Sequence, residues 1–168
     1  MKKRTKLLAI FMAGDEHISN LNTLNGLFNQ MGLSDIRLII CNDNKEYFKC
    51  ASIIEHIMIS KKTDDFAQII IHENEKNIGI NTSVRLLTAK YESDYVVLVR
   101  CGELLHNTLI FKTVMDKLAS SGGTKFTVSR YCTLYKSDFI EKVPEYVKPK
   151  RSILDVLRKI NAFLRGWK

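Results

Sequence analysis

The sequence predicts one α/β domain built on a mostly parallel sheet flanked by helices. Two observations carry this. Apolar, β-branched runs of strand length, Leu7–Met12, Ile36–Ile40 and Tyr95–Val99, recur along the chain, as for strands buried on both faces. Between them lie segments with apolar residues at helical spacing, so that strand and helix alternate and right-handed crossovers follow. Composition agrees: 168 residues, 45% hydrophobic and 26% charged, with only two prolines and eight glycines, describe an ordinary globular chain without a linker or repeat.

Leu7–Met12 reads as the first strand and Ala13-Gly14-Asp15-Glu16 as the loop beyond it. Leu21, Leu24, Leu27 and Phe28 mark a helix, with Gly32 as its closing residue. Ile36–Ile40 is the second strand and ends at Cys41-Asn42-Asp43-Asn44. A helix over 45–60 and a short strand at Ala67–His72 follow. Asn77-Ile78-Gly79 is a turn-forming entry to a helix over 81–90, on which Val84, Leu87 and Ala89 are apolar. After the Tyr95–Val99 strand comes Arg100-Cys101-Gly102-Glu103, then a helix over 104–118, a Ser120–Gly123 turn and a strand at Phe126–Val128. Ligands in open α/β sheets sit beyond the carboxyl ends of the strands, which directs attention to residues 100–103.

Several function classes lose support here. Cys41, Cys50, Cys101 and Cys132 form no C-x-x-C pair and the four histidines no H-x-x-x-H pair, so a zinc site or redox dithiol has little support. Reduced cysteines point to a cytoplasmic protein. The basic run before Leu7–Ala13 lacks the length and cleavage site of a signal peptide, and no apolar stretch approaches the roughly 20 residues that cross a bilayer. The net charge of +8 is concentrated at the ends. Residues 1–6 carry four bases and no acids, residues 136–168 nine bases and four acids, and the middle is close to neutral. That distribution suits an anionic membrane surface or a phosphate-bearing substrate; no basic stripe interleaved with aromatics points to nucleic acid.

Asn77-x-Gly79, a helix containing Ala89, and Asp94-Tyr95-Val96-Val97 together resemble the centre of a family 2 inverting glycosyltransferase of GT-A fold. Ala9–Met12, Gln30 and Leu38–Asp43 are similar to that family's first strand, first helix end and second strand, and Thr133–Tyr146 to the segment opening its acceptor half, where a buried Tyr-Lys/Arg precedes a short helix. The resemblance implies a GT-A-like nucleotide-sugar domain over 1–149 with a shortened acceptor half. It implies a UDP-sugar as the first choice of donor, a role in cell-surface polysaccharide or glycoconjugate synthesis, and nucleotide contacts from Asp15, Asp43, Asn77 and Arg100. The family's Asp-x-Asp motif binds Mn or Mg; here Arg100 and Gly102 replace its two acids and Glu103 alone is a metal ligand candidate. Arg100 either takes over the metal's charge or neutralises Glu103 in a degenerate loop. Asp43 is equally readable as an Asx-turn or helix cap.

Residues 150–168 have three readings. Ile153, Leu157, Ile160, Leu164 and Trp167 share one helical face with bases mainly off it, as in an amphipathic helix at a membrane interface on the inner leaflet. The same helix could pack on the domain. The stretch also resembles the family's catalytic block, which makes Asp155 the general base. Two function classes therefore stand: a glycosyltransferase, or an inactive GT-A-like module that assists a partner transferase or forms a homodimer.

Overall fold

The computed structural model describes residues 5–43, Glu55, Ile59 and residues 66–142. The helix expected over 45–60 and everything expected of 150–168, Asp155 included, lie outside these residues. Described elements are β1 (Thr5–Met12), α1 (His17–Phe28), β2 (Ile36–Asn42), β3 (Phe66–Glu73), α2 (Ile80–Lys90), β4 (Ser93–Arg100), α3 (Ile110–Ser121), β5 (Lys125–Ser129) and β6 (Cys132–Lys136), closed by a 3-10 turn at Ser137–Lys142.

The sheet has six strands in the order β3-β2-β1-β4-β6-β5. β1, β2, β3 and β4 run parallel, whereas β6 is antiparallel to both β4 and β5. β1 and β4 lie at the centre, which is why Leu7–Phe11 and Val96–Val99 are buried almost throughout. Successive side chains leave a strand on opposite faces. Leu7, Ala9, Phe11, Val97 and Val99 therefore join one core with Leu24, Leu27 and Phe28 of α1 and Phe111, Val114 and Leu118 of α3. Leu8, Ile10, Met12, Val96 and Leu98 join the other, with Val84 and Leu87 of α2. The placement of helices follows from handedness. The chain steps one way from β1 to β2 through α1 and the opposite way from β3 to β4 through α2, and right-handed connections in opposite directions cover opposite faces.

Two expectations are corrected. The helix expected over 104–118 begins at Ile110 and runs to Ser121. Residues 104–109 are an irregular segment ending in a turn instead: the buried Gln30 amide donates to the Asn107 carbonyl (3.0 Å), the Met31 N–H to that of Thr108, and the Asn107 Oδ1 accepts from the Leu109 N–H. Gly122, at φ 69°, then ends α3 in the left-handed conformation that glycine adopts freely. Gly32 lies beyond α1 rather than closing it, since the helix ends at Phe28 with Asn29 as its cap. The Tyr135-Lys136 pair ends β6 with Tyr135 buried, and the 3-10 turn follows directly.

Candidate functional site

All described parallel strands present their carboxyl ends on one side, and the candidate residues gather there. Asp15 lies in the loop after β1, Asp43 at the end of β2, Asn77 in the loop after β3, and Arg100 with Glu103 at the end of β4. The strand order reverses its direction of growth between β1 and β4, so these two loops flank the topological switch point.

The loops are locked together. Asn20 holds Gly14 through two bonds, its Oδ1 accepting from the Gly14 N–H (2.9 Å) and its amide donating to the Gly14 carbonyl (2.8 Å). The Thr23 hydroxyl accepts from the Gly102 N–H at 3.1 Å. A Cβ on Gly14 would lie 2.9 Å from the Cβ of Cys101, so the glycine is what allows the two loops to touch. Gly14→Ala is expected to cost about 1–3 kcal/mol by overpacking, read as a lower urea midpoint. In a Cys101→Gly background the cost should fall below half; an equal cost in both backgrounds would refute this contact as its origin.

Asp43 is the most heavily bonded of the candidates. It is 9% exposed. Its Oδ1 accepts from the Asn74 amide (2.8 Å), the Ser83 hydroxyl (3.2 Å) and the Ile78 N–H (3.2 Å), and its Oδ2 from the Gly79 N–H (3.0 Å). Asn77 joins through the same donor, its Oδ1 accepting from the Gly79 N–H at 3.0 Å. Gly79 sits at φ 84°, a left-handed conformation that an L side chain resists. The carboxylate thus fixes the entry to α2 from a distant strand end, and Oδ2 is the oxygen with acceptor capacity left over. Burial, with the Asp43 charge adding to it, pushes the adjacent Cys41 thiol up to about 12, which makes Cys41 a core group and not a nucleophile.

Arg100 and Glu103 leave the end of β4 toward different faces. Arg100 continues the Val96–Leu98 side, pairs in register with Met12, and its guanidinium bears on Tyr135. Burial raises the Tyr135 phenol, and the Thr133 hydroxyl and that guanidinium pull against the rise. Glu103 is 7% exposed on the α1 side, and its carboxylate accepts a hydrogen bond from the Ser129 hydroxyl. Its charge, after burial, also holds the Cys132 thiol up. Gly102 has φ 91°.

A divalent cation needs several hard oxygen ligands converging on one point. Among the described residues no group of three His, Cys, Asp or Glu side chains is placed to hold a metal. Glu103, just past the end of β4, is buried and accepts from Ser129. The described residues do not fit Mn or Mg at this position.

The hairpin between β5 and β6 brings in residues that the sequence reading did not single out. The Arg100 N–H donates to the Tyr131 carbonyl (2.8 Å), which seats the tip of the hairpin against the end of β4. Arg130, exposed at that tip, stacks over the Tyr131 ring with its guanidinium 4.6 Å from the centroid. The pairing of β6 with β4 creates this neighbourhood, and only the Arg-Tyr pair between two short apolar segments hinted at it. A cleft of about 290 Å³ adjoins the edge, between α1 and residues 104–108, lined by Asn22, Gly26 and His106 among others. A larger one, about 720 Å³, lies at the opposite end of the sheet, between α2 and the Ser137–Lys142 turn.

The fold is shared with several solved structures. The structure is similar to the mannosyltransferase PcManGT of Pyrobaculum calidifontis, solved with GDP-Man and Mn2+, with a TM-score of 0.69 and 10% identity, over 88% of this chain and 49% of that one. It is similar to Staphylococcus aureus TarS 1–349, with a TM-score of 0.61 and 13% identity over 95% and 55% of the two chains. It also resembles HddC of Yersinia pseudotuberculosis, with a TM-score of 0.53 and 11% identity over 88% and 87%. The fold is GT-A-like. The chain spans about half the length of PcManGT and of TarS 1–349. No known family model matches the sequence, and no curated protein does. Among the described residues no helix is long and apolar enough to cross a membrane.

Proposed function

We propose that this chain is a glycosyltransferase-type domain that binds a nucleoside-diphosphate sugar at the carboxyl edge of its sheet, without a divalent metal, in the making of a cell-surface polysaccharide or glycoconjugate. The observation that carries it is the presence of Arg100, not a carboxylate, at the end of β4 beside the topological switch point. A guanidinium pairs with phosphate oxygens through two donors and supplies the charge that a metal would otherwise bring. Arg130 adds a second cation on the adjoining hairpin. Asp43 Oδ2, Asn77 and Asp15 line the same edge, where a ribose or base would be held. PcManGT with GDP-Man, and TarS with UDP and UDP-GlcNAc, support the choice of ligand class.

Transfer further requires a base for the acceptor hydroxyl. Asp155 is our candidate, within the 150–168 segment that we assign as a separate unit from 1–149. A second reading has its own support: with Glu103 committed to Ser129 and Asp43 to four donors, the domain suits binding without catalysis, completed by a partner transferase or a second copy. Calorimetric titration with UDP and with GDP, in EDTA and in manganese, tests the reading. The expected result is micromolar binding of one nucleotide with the same affinity in both buffers. Binding that appears only with manganese would defeat the metal-free assignment, and no binding of either would defeat the nucleotide site.

A further inference from the structure

Two stretches of a chain that is 26% charged carry no Lys, Arg, Asp or Glu at all: residues 17–34, which span α1 and the turn after it, and residues 104–111. The fold sets them side by side. The Gly102 N–H reaches the Thr23 hydroxyl, the Gln30 amide the Asn107 carbonyl, and the Met31 N–H the Thr108 carbonyl. Midway along this contact a Cβ on Gly26 would lie 3.0 Å from the Cβ of Leu105, so the glycine lets the loop press against the helix. The groove left between helix and loop is the cleft of about 290 Å³, near the lower end of ligand-site volumes.

The outer side of α1 is built from residues that weaken a helix. Asn22 and Asn25 compete with the backbone for hydrogen bonds, and Gly26 adds backbone freedom. α2 and α3 carry Arg85, Lys90, Lys112, Asp116 and Lys117 instead. Packing does not account for the asparagines, since Asn22 and Asn25 are exposed. Asn20 holds Gly14, but the Asn22 side chain makes no hydrogen bond among the described residues. Local preference given up on a surface points to a function there. Asn22, Gly26 and Asn29 line the cleft from the helix, and Leu104, His106 and Thr108 from the loop. An amide both donates and accepts, as a sugar hydroxyl does. Leu104, 55% exposed, offers an apolar surface to the C–H face of a pyranose ring. An ionic ligand would find no counter-charge in either stretch. A protein partner would find no Tyr, Trp or Arg, the usual anchors of an interface.

We propose that the cleft between α1 and residues 104–108 binds an uncharged saccharide, as a holding site on the flank of the domain that uses none of Asp15, Asp43, Asn77 or Arg100. This does not depend on the nucleotide reading. The test is an NMR titration of the isotope-labelled full chain with mannotriose and with chitotriose, both uncharged, and with trigalacturonate as the charged control.

Saturable shifts are expected at the Asn22 side-chain amide and at the backbone amides of Leu104 and His106, with at least one neutral trisaccharide and not with trigalacturonate. Asn22→Ala should weaken this binding at least ~5-fold, the loss of one hydrogen bond. Its urea midpoint should stay level or rise, because Ala is the stronger helix former. No saturable shift with either neutral sugar, shifts confined to other surfaces, or equal binding of trigalacturonate would overturn the proposal. Unchanged affinity in Asn22→Ala would do so, as would a fall in its midpoint, which would make the amide structural. Broadening of the same resonances with protein concentration alone would make this face a contact between copies and overturn it too. Nucleotide titration is read separately, so a failure there leaves this test standing.

Discussion

Asp43→Ala is expected to lower the unfolding free energy by about 4 kcal/mol, since each buried donor left without an acceptor costs about 1–3 kcal/mol. Four donors lose their acceptor together: the Asn74 amide, the Ser83 hydroxyl and the N–H groups of Ile78 and Gly79. Some of the loss is recovered because the Asn74 amide also reaches the Ser83 hydroxyl at 2.9 Å. Water will reach others, Ile78 and Gly79 being only partly buried. Those two escapes keep the sum well below four full penalties. Asp43→Asn keeps one acceptor oxygen and should cost about half as much, but it places an amide against the donors it replaces. Urea denaturation monitored by circular dichroism measures both. If Asp43→Ala unfolds at the wild-type midpoint, the carboxylate is not the pin of the α2 entry, and its role must be sought in the ligand alone. The Asn variant, which should remain folded, separates the two roles further: a nucleotide affinity that drops more than ~10-fold while stability falls only modestly would show that Oδ2 also meets the ligand.

How much of this was legible beforehand depends on the range of the interactions involved. β1 and β4 were legible because both faces of a central strand are buried, and the resulting unbroken apolar runs need no partner to be recognised. Asn77-Ile78-Gly79 was legible as a turn because its chemistry is local, and the Asn77–Gly79 bond spans two residues. β6 was not. Leu134 enters one core and Tyr135 the other while Thr133 and Lys136 are half-buried, so Cys132–Lys136 shows neither a clean alternation nor an apolar run. The late start of α3 was hidden for a different reason. Leu104 and Leu105 continue an apolar helical pattern backwards, and Gln30, 77 residues away from Asn107, together with the neighbouring Met31 holds that stretch out of a helix. The candidate site divides in the same way. Its positions at the strand ends could be read from the strands. The inward turn of Glu103 to Ser129, 26 residues on, and the fourfold engagement of Asp43 could not.

The turn at Arg100–Glu103 carries a conformational constraint at Gly102. At φ 91° this position suits glycine, and an aspartate there would carry a strain of about 1–2 kcal/mol. Placing Asp at both 100 and 102 would therefore strain the turn whose N–H groups already bond to Arg100 and Thr23. The loop is organised around its present residues, which is consistent with the cationic site proposed above. Arg100→Ala should accordingly reduce nucleoside-diphosphate affinity by about 10–100-fold, the loss expected of a charge-assisted pair worth about 1.5–3 kcal/mol. UMP or GMP, with one phosphate fewer, should be affected less than the matching diphosphate. Arg100→Lys keeps the charge but not the two-donor fork, and an intermediate loss is expected. The stability of each variant must be read alongside, because the Arg100 guanidinium also bears on the buried Tyr135. An Arg100→Ala protein that melts normally and binds the diphosphate as tightly as the parent would remove Arg100 from the site. Arg130 would then be the cation to change next, since it is the other guanidinium that the β5–β6 hairpin brings to the end of β4.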